Sequence, residues 1–286
     1  MELTDSGSAV TARHDGVELC RYVYRPPEPA IESPRPYFHP VRTLAGHEVS
    51  IYRPPDHVWH KGIAWSLPNV GPQNFWGGPT FVRGKGYVQL DNNGAMANRS
   101  LTVSGDRVDQ ELDWLTSDGS RWFTERRRIL LSIVDDAWSL TFTTAMTNVS
   151  DAEIRLGSPT TEGRPNAGYG GLMWRGPRSF TGGEVITPEG TGGDDLMGIR
   201  VPWLAFLGRH RRRRMSTLVF VDAPTNPGHP VEWFVRSTPF ACVCPAPFFS
   251  ATVPVAPEET LTLTYAVVVA DGAPDPANLA AQARMS

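Results

Sequence analysis

The side chains with the most chemical capability are densest between Arg53 and Trp76, in the stretch RPPDHVWHKGIAWSLPNVGPQNFW. Asp56, His57, His60 and Lys61 fall within six residues there, followed by Trp65, Asn69, Gln73, Asn74 and Trp76. A separation of three would put His57 and His60 on opposite faces of a strand but on nearly one side of a helical turn. Pro54-Pro55-Asp56 is a suitable start for such a turn, so a single turn bringing the imidazoles together is expected. Two adjacent neutral imidazoles permit proton transfer near neutral pH or metal ligation. A lone histidine would more simply pack beneath Trp59 and hydrogen-bond a carbonyl.

Other candidates lie far along the chain. Glu162, between Thr161 and Gly163, is followed by Arg164 and Asn166 in a glycine-rich stretch. As a general base it would need burial to raise its pKa, and a nearby guanidinium would keep it ionised. His229 follows Asn226-Pro227-Gly228 and precedes Pro230, with Trp233 and Arg236 beyond it on an expected strand. His39, between Phe38 and Pro40, has a similar standing. Trp76, Trp174 and Trp233 join Trp59, Trp65 and Tyr169 in offering flat apolar faces beside amide and charged groups. Sugars need both, because their C–H faces stack on rings while their hydroxyls require fixed polar partners. Most of these rings are expected in the core, since each carries about 150–250 Å² of largely apolar surface. The chain contains no G-x-G-x-x-G, G-x-x-x-x-G-K-[ST] or G-x-S-x-G, so dinucleotide, P-loop and serine-hydrolase readings lose their main support.

The elements that must position these groups read as strands. Period-two segments at Gly86–Leu90, Ser100–Ser104, Val108–Leu115, Trp122–Leu131 and Trp138–Met146 alternate with turns such as Asn92-Asn93-Gly94 and Ser117-Asp118-Gly119. Val17–Tyr24, Tyr37–Thr43 and His47–Tyr52 precede them, and Ser216–Val221, Val231–Arg236 and Thr260–Val269 follow. A proline-rich extended segment is expected over about 25–36, a shaped loop over 160–171, and a short C-terminal helix over about 276–285. No fixed-period repeat and no low-complexity boundary divides the chain. The expectation is an all-β fold with few short helices, one large antiparallel β-sandwich domain over residues 1–286.

Composition narrows the classes. The 286 residues carry a net charge of −3, which gives no field for attracting polyanions, and a nucleic-acid partner is not expected. The basic run Arg209–Arg214 lies between two apolar segments and reads as a solvated hairpin turn. No run of about 18 apolar residues exists to span a bilayer, and the N-terminus lacks the pattern of a secretory signal. Cys20, Cys242 and Cys244 cannot all pair and lack C-x-x-C spacing, so reduced thiols in a cytoplasm are expected.

Taken together, Arg35-Pro36-Tyr37-Phe38-His39-Pro40, Pro55-Asp56-His57-Val58-Trp59-His60-Lys61-Gly62, Asn74-Phe75-Trp76, Thr161-Glu162-Gly163 and His229-Pro230 with Trp233 and Arg236 carry a resemblance over roughly 35–270. The chain resembles a bacterial family of unknown function often labelled "PmoA" or methane oxygenase. Two positions depart from that pattern: Val58-Trp59 stands where many relatives have a further histidine, and Phe234 where relatives often have a histidine after the tryptophan. The label implies a copper-dependent membrane oxygenase, which needs membrane-spanning segments that this sequence lacks. The family more closely resembles galactose mutarotase-like β-sandwiches, which handle carbohydrates with a histidine acid and a carboxylate base.

The expected activity is therefore acid/base chemistry on a sugar: epimerisation, or elimination or hydrolysis of a keto-glycoside. In this reading His57 or His60 protonates an oxygen and Glu162 or His229 takes the proton. His39, Asp56, Lys61, Trp76, Arg164, Asn166, Trp174, Trp233 and Arg236 bind or orient the sugar. The alternatives are a metal-dependent oxidoreductase or lyase, with His57, His60 and Glu162 holding a divalent metal, and a non-catalytic sugar-binding protein.

Overall fold

The computed structural model describes residues 1–211 and 214–283, and two antiparallel sheets dominate it. Among the described residues the larger has eleven strands. Its main path runs through Glu2–Asp5, Ala9–His14, Val17–Val23, Tyr37–Val41, Ile63–Val70, Gly171–Arg175, Cys242–Pro245 and Trp233–Arg236. The second has nine, in the order Gly190–Gly192, Glu184–Thr187, Trp203–Arg209, Met215–Asp222, Thr260–Asp271, Ala137–Asn148, Arg121–Val134, Arg107–Leu115 and Ala95–Ser104. The architecture is the expected all-β sandwich.

The inner faces meet through large rings. Trp65 of the first sheet stacks on Phe142 and Tyr265 of the second, with centroids 6.1 and 6.2 Å apart. Trp174 packs in the same layer against Phe206 and Phe220. Between the sheets the Glu125–Arg127 ion pair is fully buried, with Trp114 Nε1 donating to Glu125 at 2.8 Å and Arg127 donating to Tyr22 at 3.0 Å. Charges at this depth persist because each is paired and hydrogen-bonded.

Alternation then decides what the other face of the first sheet carries. Trp174, Trp233, Val235 and Val243 face the core between the sheets, so Met173, Phe234, Cys242 and Cys244 project from the opposite face, where they form a smaller apolar cluster with Trp76 and Phe249. That cluster floors the cleft described below. All three cysteines are free and buried.

Several boundaries differ from the sequence expectation. His47–Tyr52 is not a strand; only the isolated bridges Arg42 to Glu48 and Tyr52 to Lys61 form there, because the chain is turning into the 54–60 loop. The central strand Ile63–Val70 was not legible, since it is buried on both faces and shows no alternation. The proline-rich segment includes a 3-10 turn at Ala30–Glu32 and buries Glu32 and Arg35. The basic run does span a hairpin, Arg209 pairing with Met215, though Arg212 and Arg213 lie outside the described residues. The C-terminal helix covers Pro276–Gln282, with Arg284 and Met285 outside them.

Candidate active site

His57 and His60 sit on the loop between Tyr52 and Lys61. Two consecutive turns shape it: the His57 amide donates to the Pro54 carbonyl and the His60 amide to the His57 carbonyl, each at 2.9 Å. The Arg53 amide closes the loop on the His60 carbonyl at 3.0 Å, and Arg35 Nη2 holds the Trp59 carbonyl at 2.7 Å. The two imidazoles stack nearly parallel, with centroids 4.6 Å apart and planes 14° from each other. Trp59 lies flat on Gly77-Gly78, where a Cβ on Gly78 would meet its ring at 2.7 Å. Only glycine permits that approach.

Arg175, the last residue of Gly171–Arg175, organises the histidines. Its Nη1 donates to His60 Nδ1 at 2.8 Å, its Nη2 donates to Asp56 Oδ2 at 2.6 Å, and its guanidinium lies 3.7 Å above the Phe240 ring. An arginine only donates, so His60 Nδ1 accepts and the neutral ring carries its proton on Nε2. Burial, reinforced by the positive charges of Arg175 and Arg35, holds the His60 pKa well below its ordinary value. His60 is therefore a fixed neutral N–H donor.

His57 is placed differently. Its Nδ1 lies 2.9 Å from Asp56 Oδ2, and its side chain is 35% exposed. Partial burial would raise the Asp56 carboxyl, but hydrogen bonds from Arg175 and His57 outweigh it and bring it down to about 2. An ionised Asp56 must accept, so neutral His57 donates from Nδ1 and presents a bare Nε2 lone pair. Side by side stand one ring nitrogen that takes a proton and one that offers a hydrogen bond.

These groups open onto a cleft of about 640 Å³ on the outer face of the larger sheet. His57, His60 and Phe240 form one wall; Trp76, Tyr169 and Phe234 form another, with Trp76 4.6 Å and Phe234 5.6 Å from Tyr169. Arg164, Asn166 and Tyr87 edge it, the Tyr87 and Tyr169 hydroxyls lying 2.9 Å apart. The loop carrying Arg164 and Asn166 is held by hydrogen bonds between side chains and its backbone. The Thr160 amide donates to Ser158 Oγ at 3.1 Å, the Ala167 amide to Thr160 Oγ1 at 2.9 Å, and Arg83 Nε to the Glu162 carbonyl at 3.0 Å.

Of the residues singled out from the sequence, the fold brings His57, His60, Trp76, Arg164, Asn166 and Arg236 to this cleft, with Asp56 behind His57. The others it places elsewhere. Glu162 offers its carbonyl to Arg83, and its carboxylate is not among the lining groups. His229 hydrogen-bonds Asp222 Oδ2 at 2.8 Å, outside the cleft. His39 pairs with Ser50 Oγ at 2.9 Å and stacks on Tyr52. Lys61 forms a buried ion pair with Glu32, beside Glu28 at 3.5 Å. Trp174 and Trp233 have no exposed surface, because period two turns them toward the core and their odd-even neighbours toward the cleft. Arg175, Phe240 and Tyr87 were missed. For Arg175 the sequence held a signal: a cation two positions after Met173 on an otherwise apolar strand.

A divalent metal does not fit this arrangement. Among the described residues no three His, Cys, Asp or Glu side chains converge as a ligand set. His60 Nδ1 is occupied by Arg175, whose charge also opposes a second cation, and Glu162 does not complete the set.

A family model described as a family of unknown function (DUF6807) matches residues 9–284. No curated protein matches the chain.

Proposed function

Because the chain belongs to that family of unknown function, its activity must be argued from the cleft, and we propose that it is a carbohydrate-active enzyme performing acid/base chemistry through His57. The carrying observation is the Asp56–His57 pair, fixed by Arg175 and stacked on neutral His60 at the mouth of an aromatic cleft. The resemblance to galactose mutarotase-like sandwiches read from the sequence supports a sugar as ligand. So do ring faces at Trp76 and Phe240 beside polar groups on Arg164 and Asn166, the combination that a sugar ring requires.

One free imidazole suits a reaction in which a single group moves the proton both ways. In a glycoside whose ring bears a ketone, His57 Nε2 takes the proton from the carbon beside the carbonyl, leaving its electron pair to form an enolate. The enolate oxygen accepts a hydrogen bond from His60 Nε2–H. The pair then expels the glycosidic oxygen, which recovers the proton from His57. Epimerisation uses the same enolate: water protonates its opposite face, and the hydroxide left behind takes the proton held on His57.

The test is a panel of glycosides and their keto derivatives incubated with the protein and read by mass spectrometry. A new product is expected with wild-type protein and a rate lower by about 10²–10⁴ with His57→Asn. Ligand-induced thermal stabilisation without product anywhere in the panel would make the chain a sugar-binding protein. Full turnover in the variant would remove His57 from the chemistry.

A further inference from the structure

The described residues lining the cleft include Arg164 and Arg236 but no aspartate or glutamate. Two of the three guanidiniums in the region are already balanced. Arg236 Nη1 meets Asp194 Oδ2 at 3.0 Å, and Arg175 meets Asp56 at 2.6 Å. Arg164 differs. It hydrogen-bonds the Tyr87 hydroxyl and lies 4.7 Å from the centre of that ring, and no carboxylate among the described residues pairs with it. A guanidinium without a counter-charge, beside the apolar wall of Trp76, Tyr169 and Phe234, attracts an anion more strongly than it would in open water.

We propose that the substrate is a sugar acid, and that Arg164 binds its carboxylate while the ring lies between the aromatic walls and the His57–His60 pair. This rests on the carbohydrate reading above and adds the charge. A single free guanidinium edge matches a planar carboxylate in bidentate fashion, whereas a phosphate dianion would call for more unpaired donors than the cleft holds. Arg164 is a specificity-determining residue here, since it reads a substituent away from the reacting carbons.

Titration calorimetry on matched ligands tests the proposal: hexuronates, their neutral methyl esters, the parent hexoses and hexose 6-phosphates. Binding of at least one uronate about tenfold or more tighter than its ester is expected, the size of a charge-assisted pair. That preference should shrink as sodium chloride is raised. Arg164→Gln should abolish it, bringing uronate affinity down to about that of the ester. Arg155→Gln, which removes an exposed arginine paired with Glu153, should preserve it. Should Arg164→Gln fail to fold, Arg164→Lys keeps the charge but not the bidentate edge, and should lower the ratio of uronate to ester affinity below that of wild type. Equal affinity for acid and ester would overturn the charge assignment and leave the carbohydrate reading standing. A preference for the 6-phosphate would overturn the choice of carboxylate. Failure of every sugar to bind, with or without capture of simple carboxylates through Arg164, would overturn both readings.

Discussion

His57 and Glu162 are both ionisable residues with polar neighbours in the sequence, yet only one meets the cleft. His57 has its Nδ1 committed to Asp56 and its other nitrogen free for a substrate, whereas the Glu162 contact that matters is made by its carbonyl. The two substitutions should therefore separate. His57→Ala is expected to lower kcat by about 10²–10⁴, while Glu162→Ala keeps kcat within about tenfold of wild type. Steady-state kinetics on the substrate found by screening checks both. Arg175 acts through its neighbours and is a positioning residue. Arg175→Lys cannot hold His60 and Asp56 together, so kcat should fall with KM little changed, and the NMR signals of both imidazoles should shift.

At the scale of elements, the loop bearing the histidines is anchored from below by ions. Lys61 and Glu32 have side chains 2% exposed and pair directly, and Arg53 binds the same carboxylate at 2.6 Å. Burial would raise Glu32, but Arg53 and Lys61 pull it below the ordinary carboxylate range. Removing one partner of a buried pair strands the other charge, at a cost of about 3–5 kcal/mol. Lys61→Met should lose somewhat less than that in urea denaturation, since Arg53 still faces Glu32, and Glu32→Gln combined with it should cost less than the sum of the single losses. A loss under about 1 kcal/mol for Lys61→Met would mean that the pair does not anchor the loop.

Across the whole molecule, neutral histidines at buried and half-buried positions set the acid side of the stability curve. Burial, with Arg42 and Arg21 nearby, takes His39 from 6.5 to about 4, and His60 lies well below 6.5. Between 4 and 6.5 the unfolded chain binds protons that the folded chain refuses. Stability should thus be full above pH 6.5 and fall as pH drops from 6.5 toward 4, with Asp56 adding a further loss from 3.8 toward about 2. Melting temperatures between pH 7.5 and 4.5 should show the decline, and His39→Asn should flatten it. Because Trp65 and Trp174 join the two sheets through one core, calorimetry should show one cooperative transition; two separated endotherms would mean independently folding units.

Much of the architecture was legible in linear order because half-buried antiparallel strands print their two faces as alternation. Trp122–Leu131 and Trp138–Met146 fall within the strands Arg121–Val134 and Ala137–Asn148 for that reason. The His57–His60 turn was legible too, since prolines and a three-residue spacing are local facts. The strand Ile63–Val70, buried on both faces, carried no such imprint. Only the tertiary structure decided which distant groups share the cleft. Sheet parity sent Trp174 and Trp233 inward and Phe234 and Arg175 outward, and Arg175 reached Asp56 and His60 across more than a hundred residues of chain. Alternation records that a strand has two faces, but which face meets a core depends on partners far away in sequence.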